Sequence, residues 1–267
     1  MNGDIMKVNG KRIIVTGAGS GMGREMTFQL LKKGATVIAL DINRENLEKL
    51  KEENKSNNLF TYVVDISKED SIAAFKEEYF KNHPNVDILI NNAGIIQPFI
   101  HVDKLGKNII HKVMDVNFYG PLELTRAVLP ELLKRPEAHI VNISSMGGFF
   151  PFPGQTIYGA SKAALKLFTE GLYAELLDTN VHVTVVFPGA IATNIVKNSN
   201  IQIEEKSSSN TNMALSAEKA AAIIIKAIEK NKFKVYVGKD SKFMNFLYKI
   251  NPKGAIKFIN KQMKKMN

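Results

Sequence analysis

The sequence predicts an α/β domain with a doubly wound parallel sheet of about seven strands. Three observations carry that expectation. Short apolar runs recur without polar alternation, as strands buried on both faces require. Helix-favouring segments separate them, which is the spacing of right-handed parallel crossovers. A glycine cluster follows the first run directly, where a first strand would hand over to a first helix.

The elements follow in order. Residues 11–16 (K-R-I-I-V-T) read as the first strand, and 25–33 as a helix stopped by Gly34. Residues 35–40 are the second strand, followed by the charged, helix-favouring 44–55. Residues 60–65 (F-T-Y-V-V-D) are the third. Ser67 with Asp70 reads as a capping pair for the next helix. Residues 86–90 form the fourth strand, ending at Asn91-Asn92, and 140–143, 181–187 and 234–237 complete the set. No solenoid repeat is present. A polar stretch between Asn194 and Ser216 contains the low-complexity patch 207–212 and has no clear periodicity. It reads either as a mobile surface loop or as a lid.

Composition narrows the chemistry. The chain has 267 residues, 45% hydrophobic and 23% charged, as in an ordinary globular protein. It has no cysteine, which excludes disulfides, cysteine–metal sites, iron–sulfur clusters and thiol nucleophiles. The first residues lack a signal-peptide pattern, and the longest aliphatic run, 220–225, is too short to span a bilayer. A cytoplasmic location is the expectation. The five histidines have no metal-ligand spacing, so no metal site is expected.

Thr16-Gly17-Ala18-Gly19-Ser20-Gly21-Met22-Gly23 lies between a predicted strand and a predicted helix. Glycines there permit a tight turn and close approach of backbone to a pyrophosphate, and the helix N-terminus offers N–H donors. Asp41 ends the second strand, 18 residues after Gly23. An acid at that place can hydrogen-bond an adenosine ribose and repel a 2′-phosphate, which favours NAD over NADP. Asp41 also reads as a helix N-cap, and nearby Arg44 keeps NADP as the alternative.

Tyr158 and Lys162 stand at i and i+4, on one face if their segment is helical. A free phenol titrates near ~10. A neighbouring cation favours the phenolate that alcohol oxidation needs as a base. Ser145, 13 residues before Tyr158, follows a predicted strand. Its hydroxyl could hold a substrate oxygen or simply close a Ser/Gly turn.

Together these motifs resemble the short-chain dehydrogenase/reductase family, in its shorter single-domain branch. The resemblance spans about residues 11–237 and rests on T-G-A-G-S-G-M-G, Asp65, Asn91-Asn92-Ala93-Gly94, Asn117, Ser145, Tyr158 with Lys162, and Pro188-Gly189-Ala190-Ile191-Ala192-Thr193. It implies a Rossmann fold and hydride transfer between a nicotinamide and a secondary alcohol or ketone. Tyr158 would be the general acid/base and Lys162 would bind the nicotinamide ribose and lower the Tyr158 pKa. Ser145 would bind the substrate oxygen. Asn117, within a long helix, would hold a water of the proton relay. The cofactor would rest on Gly17, Ser20, Gly21, Met22 and Gly23, with Asp65 and Ile66 beside the adenine. Asn92 and Gly94 would support its ribose, the Ile191 backbone and the Thr193 hydroxyl would orient its carboxamide, and Pro188 and Gly189 would also contact the cofactor. Ser20 stands where NADP-preferring members often carry a basic residue, which agrees with Asp41.

The resemblance also places residues 147–155 beside the substrate. Phe149, Phe150 and Phe152 would form an apolar wall, with at least one ring packing elsewhere, and Gln155 a polar contact. The stretch 194–215 becomes the substrate lid, with Ile195, Val196 and Met213 able to close over a hydrophobic ligand. No fixed cation is evident for a substrate carboxylate. A steroid-, retinoid- or lipid-like alcohol or ketone is therefore expected. A catalytically silent dinucleotide-sensing or scaffold protein is the alternative. A homodimer or homotetramer is implied, using the helices that carry Asn117 and Tyr158.

The net charge of +10 is uneven. Residues 1–238 carry +3, whereas 239–267 hold eight lysines and one acid, a net +7. Phe243, Phe246, Leu247 and Ile250 recur at helical spacing. Ile256, Ile259, Met263 and Met266 share one face of a second segment, and Lys253, Lys257, Lys261 and Lys264 another. Two amphipathic helices joined at Asn251-Pro252 follow, as a basic extension to a catalytic domain of residues 1–238. The extension could pack on the body or a neighbouring subunit, or rest on an anionic membrane. No base-stacking or groove-reading motif supports nucleic acid.

Overall fold

The computed structural model describes residues 6–83, 85–193, 195, 199 and 214–264. Nine strands run in chain order: β1 Arg12–Thr16, β2 Thr36–Asp41, β3 Leu59–Val63, β4 Ile88–Asn91, β5 Ala138–Ile143, β6 Val181–Pro188, β7 Ile191–Ala192, β8 Leu215–Ser216 and β9 Lys234–Val237. Seven form one parallel sheet in the order β3-β2-β1-β4-β5-β6-β9. The helices are α1 Gly21–Lys32, α2 Arg44–Glu53, α3 Glu69–Asn82, α4 Lys107–Met114, α5 Gly120–Leu132, α6 Thr156–Glu175, α7 Ala217–Glu229, α8 Lys239–Ile250 and α9 Pro252–Met263. This is the doubly wound Rossmann arrangement that the sequence predicts.

The apolar runs lack alternation because both sheet faces are buried. Ile13 and Val15 of β1 join one core with Met26 and Leu30 of α1 and Ile224 and Ile228 of α7. Ile14 joins the opposite core with Phe75 and Tyr79 of α3, Leu124 and Val128 of α5 and Leu172 of α6. Strand order reverses between β1 and β4, so the loops after these two strands border one crevice.

Several local expectations need correction. Asp41 does not cap α2. Asn43 does, accepting from the Asn46 N–H at 2.9 Å. Ser67 and Asp70 do not form a capping pair for α3, whose N-cap is Lys68. Ser67 instead turns back, donating through its hydroxyl to Asp65 Oδ1 at 2.6 Å. The short parallel pair β7–β8 lies outside the main sheet and was not anticipated.

The extension forms both expected helices, and α8 turns Phe243, Phe246 and Ile250 of its apolar stripe outward while Leu247 packs inward. Met244 and Ala255 are buried against Phe150, with Leu247, Tyr248 and Ile259 packed around them. Phe243, Phe246 and Ile250 point to solvent. Anchors at the start of α8 set this orientation: Asp240 Oδ2 accepts from the Ala190 N–H at 2.6 Å, and the buried Ser241 hydroxyl donates to Phe187 O at 2.8 Å. Among the described residues, no helix is long and apolar enough to cross a membrane.

Candidate active site

The glycine loop runs from β1 into α1. Gly17 and Gly21 adopt φ of +64° and +51°, a region that favours glycine. A β-carbon on Gly23 would stand 2.1 Å from Gly17 O, so only glycine lets the helix start this close to the turn. Across the crevice, Thr16 Oγ1 accepts from the N–H groups of Asn92 and Ala93 at 2.9 and 3.0 Å. Asn92 Nδ2 donates to Thr16 O at 3.0 Å. The glycine loop and the N-N-A-G turn are therefore laced together.

Between them opens a cleft of about 540 Å³. Its lining brings together the expected Gly17, Ser20, Gly21, Met22, Asp41, Asp65, Ile66, Asn92, Gly94 and Thr193. Gly23 lies beneath the loop rather than on that wall. Pro188, Gly189 and Ile191, expected at the cofactor, do not line it, and the Gly189 N–H donates to Val237 O at 2.9 Å. Asp41 is only 9% exposed. Its Oδ2 accepts from the Gly19 N–H at 2.8 Å and its Oδ1 from the Asn43 N–H at 2.9 Å, so backbone holds the carboxylate at the cleft. Arg44 is exposed and does not line the cleft.

The four expected catalytic side chains converge. Ser145 Oγ accepts from the Gly147 N–H at 3.0 Å, and a β-carbon on Gly147 would lie 3.2 Å from the Tyr158 ring and 3.5 Å from Ser145 Oγ. Lys162 is buried, and its Nζ donates to Ile143 O at 3.0 Å. A β-carbon on Gly94 would lie 3.1 Å from both Lys162 Nζ and Asn117 Oδ1, so those groups flank one point of backbone. Asn117 does not sit in a regular helix. It occupies a π-helical turn, Asp115–Tyr119, between α4 and α5. Such turns redirect a side chain out of the regular ladder. Asn117 Oδ1 accepts from the Ile95 N–H at 2.9 Å, and its Nδ2 donates to Ile95 O at 2.8 Å and to Ser161 Oγ at 3.0 Å.

Burial sets the electrostatics. It lowers Lys162 to about 8. It raises the Tyr158 phenol, with the nearby Ser145 hydroxyl acting in the opposite direction. Enclosure disfavours the charged form of both groups, so Tyr158 stands above the ordinary phenol value rather than below it as expected.

The expected substrate wall is mostly a seat for the extension. Phe150 is fully buried and meets Tyr248 with ring centres 5.6 Å apart. Phe152 packs on Phe150 at 5.3 Å, and Phe149 on Phe187 at 5.4 Å. None of the three lines the 540 Å³ cleft, and neither do Ser145, Tyr158, Lys162 and Asn117. Gln155 is buried too, its Nε2 donating to Gln97 O at 2.8 Å. Of the expected lid, Val196 and Met213 lie outside the described residues. Ile195 lines the cleft, and Ser199 Oγ accepts from the Ile96 N–H at 3.0 Å.

Gln97 was missed. It is fully buried, and its Oε1 accepts the backbone N–H groups of Ile157 and Tyr158 at 2.8 and 3.0 Å. Its Nε2 donates to Gly154 O at 2.8 Å. The available signal was a lone amide inside the apolar run I-I-Q-P-F-I.

Residues 11–204 match the family model described as short chain dehydrogenase. The chain belongs to the short-chain dehydrogenase family. It is an oxidoreductase of that family, built on a nucleotide-binding fold. The 3-oxoacyl-[acyl-carrier-protein] reductase FabG of Thermotoga maritima is 36% identical over 190 residues, covering 70% of this chain and 77% of FabG. A short-chain dehydrogenase from Streptomyces avermitilis superposes with a TM-score of 0.81 at 27% identity, covering 97% of this chain and 99% of that one. The 3-ketoacyl-(acyl-carrier-protein) reductase of Brucella melitensis, solved with NADH, gives 0.77 at 26% identity over 87% of this chain and 97% of that one. The short-chain dehydrogenase fold binds a nicotinamide dinucleotide. The residues present fit one: a glycine cradle that a β-carbon would fill, and an acid held at the far lip of the cleft.

Proposed function

We propose that this short-chain dehydrogenase interconverts a hydrophobic secondary alcohol and its ketone with NAD as hydride carrier. The gathering of Ser145 near Tyr158, and of Lys162 and Asn117 beside Gly94 on the wall of a dinucleotide-sized cleft, carries the reading. The bound nicotinamide supplies or accepts the hydride. Ser145 Oγ donates to the substrate oxygen and holds it against Tyr158. The Tyr158 hydroxyl gives its proton to that oxygen in reduction and takes it back in oxidation. Lys162 Nζ keeps donors beyond its bond to Ile143 O, and these hold the nicotinamide ribose. Its charge favours the phenolate whenever Tyr158 has given up its proton. Asn117 fixes the Ile95 peptide and positions a water between Lys162 and bulk solvent.

NAD is favoured over NADP because Asp41 would face a 2′-phosphate at close range, while Arg44 stands outside the cleft. A hydrophobic substrate is favoured because the segment from Ser145 to Tyr158 carries no cation that could pair with a substrate carboxylate. Exposed apolar residues along α6 and the end of α5, Leu167, Tyr173 and Leu133, support a homodimer or homotetramer through those helices. The alternative of a silent dinucleotide sensor has the complete catalytic set against it.

Tyr158→Phe tests the mechanism. It should abolish turnover while NADH binding, read by nicotinamide fluorescence, stays within about twofold. Unchanged turnover refutes the assignment. A panel of apolar alcohols against sugars and polyols tests the substrate class, and a preference for polyols ends that part.

A further inference from the structure

We propose that α8 and α9 form a docking surface for an anionic lipid bilayer. The outward side of α8 carries Phe243, Phe246 and Ile250 at i, i+3 and i+7, with exposures of 54%, 63% and 65%. Lys242 and Lys249 are exposed beside that stripe. On α9, Phe258 is 43% exposed, and Lys253, Lys257, Lys261 and Lys264 all face solvent. An apolar stripe bordered by lysines is the pattern of a helix lying in a membrane interface.

Two observations separate this from an ordinary solvated face. First, the inward side is already occupied. Met244 and Ala255 are buried on Phe150, while Ser241 and Asp240 are hydrogen-bonded to Phe187 O and the Ala190 N–H. The exposed rings therefore cannot turn inward without breaking these contacts. Second, the described lysines of the extension make no ion pair. Among the described residues, ion pairs join cations and carboxylates of the body, such as Arg135 with Asp87 and Lys234 with Glu170, but include no lysine of 239–264. The whole extension carries a net +7.

The occupant must bury aromatic side chains and supply negative charge. A second copy of this chain fits poorly, because residues 1–238 are themselves net +3. An anionic bilayer supplies both requirements, with acyl chains under Phe243, Phe246 and Ile250 and headgroup phosphates around the lysines.

The test uses the full chain and sedimentation with vesicles of phosphatidylcholine, alone or mixed with phosphatidylglycerol. The expected result is pelleting that depends on phosphatidylglycerol and declines with added salt. Phe243→Ser/Phe246→Ser/Ile250→Ser should weaken vesicle binding about tenfold or more, with unchanged NADH affinity and thermal midpoint. Lys253→Glu/Lys257→Glu should also weaken it by an independent change. Absence of phosphatidylglycerol-dependent pelleting by the full chain overturns the proposal. So does a sedimenting mass that falls in the triple Ser variant, which would assign the face to a second copy. Tighter binding to a single-stranded oligonucleotide than to the anionic vesicles overturns it as well.

Discussion

Gln97 holds Tyr158 by its backbone: the amide oxygen of Gln97 accepts the Tyr158 N–H at 3.0 Å and that of Ile157 at 2.8 Å. The first turn of α6 has no cap from its own segment, since Gln155 makes no capping bond there. A buried residue from beyond β4 performs that task. The helix that carries Tyr158 and Lys162 is thereby registered against the loop that follows the N-N-A-G turn.

Gln97→Leu should leave two N–H groups and the Gly154 carbonyl without partners, at a cost of about 1–3 kcal/mol for each buried group. Turnover should fall roughly 10–100-fold through displacement of Tyr158. NADH affinity should change little. Gln97→Glu keeps the acceptor and should recover part of the lost kcat. Steady-state kinetics beside a fluorescence titration checks the split.

Asp41→Ser should shift cofactor preference. The change removes a fixed negative charge at the cleft but leaves a short acceptor near the Gly19 N–H. NADPH affinity should rise and NADH affinity fall, each by about tenfold, or ~1.4 kcal/mol. Equilibrium fluorescence titration with both dinucleotides checks it, and an unchanged ratio would remove Asp41 from the selectivity argument.

Lys162 gives the reduction reaction an alkaline limb. Its folded pKa is lowered to about 8, so the ammonium is present below that pH and lost above it. With kcat/KM for ketone reduction followed across the pH range, the rate should fall above about pH 8, about tenfold per unit. Lys162→Arg keeps the charge at every accessible pH and should remove that limb even if it lowers the plateau.

His139 predicts an acid-sensitive fold. Thr184 Oγ1 donates to Lys232 O at 2.6 Å, so it accepts from His139 Nε2–H at 2.7 Å. Nδ1 is then the unprotonated nitrogen, and it is buried without a partner. Burial first, and His182 second, depress this histidine to about 3. The folded value lies below the unfolded one, so the unfolded state binds more protons between them. The contribution of His139 is complete above about pH 6.5 and is lost progressively as pH falls toward 3, by about 2 kcal/mol between pH 6.5 and 5. Urea unfolding at pH 7 and pH 5 should show a smaller difference for His139→Gln than for the natural chain.

The fold was legible because its signal is local. Each strand is a short apolar run, and a sheet buried on both faces needs nothing else to be seen. The glycine loop, Asp41, Ser145, Tyr158 and Lys162 were legible because residue type and spacing carry their chemistry within one turn or one strand end. What escaped depends on distant pairing. Gln97 meets Tyr158 across a separation of 61 residues. The π-turn at Asn117 is set by its clasp on Ile95, which no helical periodicity reports. Phe149, Phe150 and Phe152 look like a pocket wall until the extension is seen lying on them.

The hydrogen bonds from Ala190 N–H to Asp240 and from Ser241 to Phe187 O make the extension a buttress as well as an outer surface. Removing it would unpin the Pro188–Gly189 turn and strip the cover from Phe150. A chain shortened at Gly238 would therefore be a damaged enzyme rather than the same enzyme with a smaller charge. Only substitutions on the outer side can ask what that side is for.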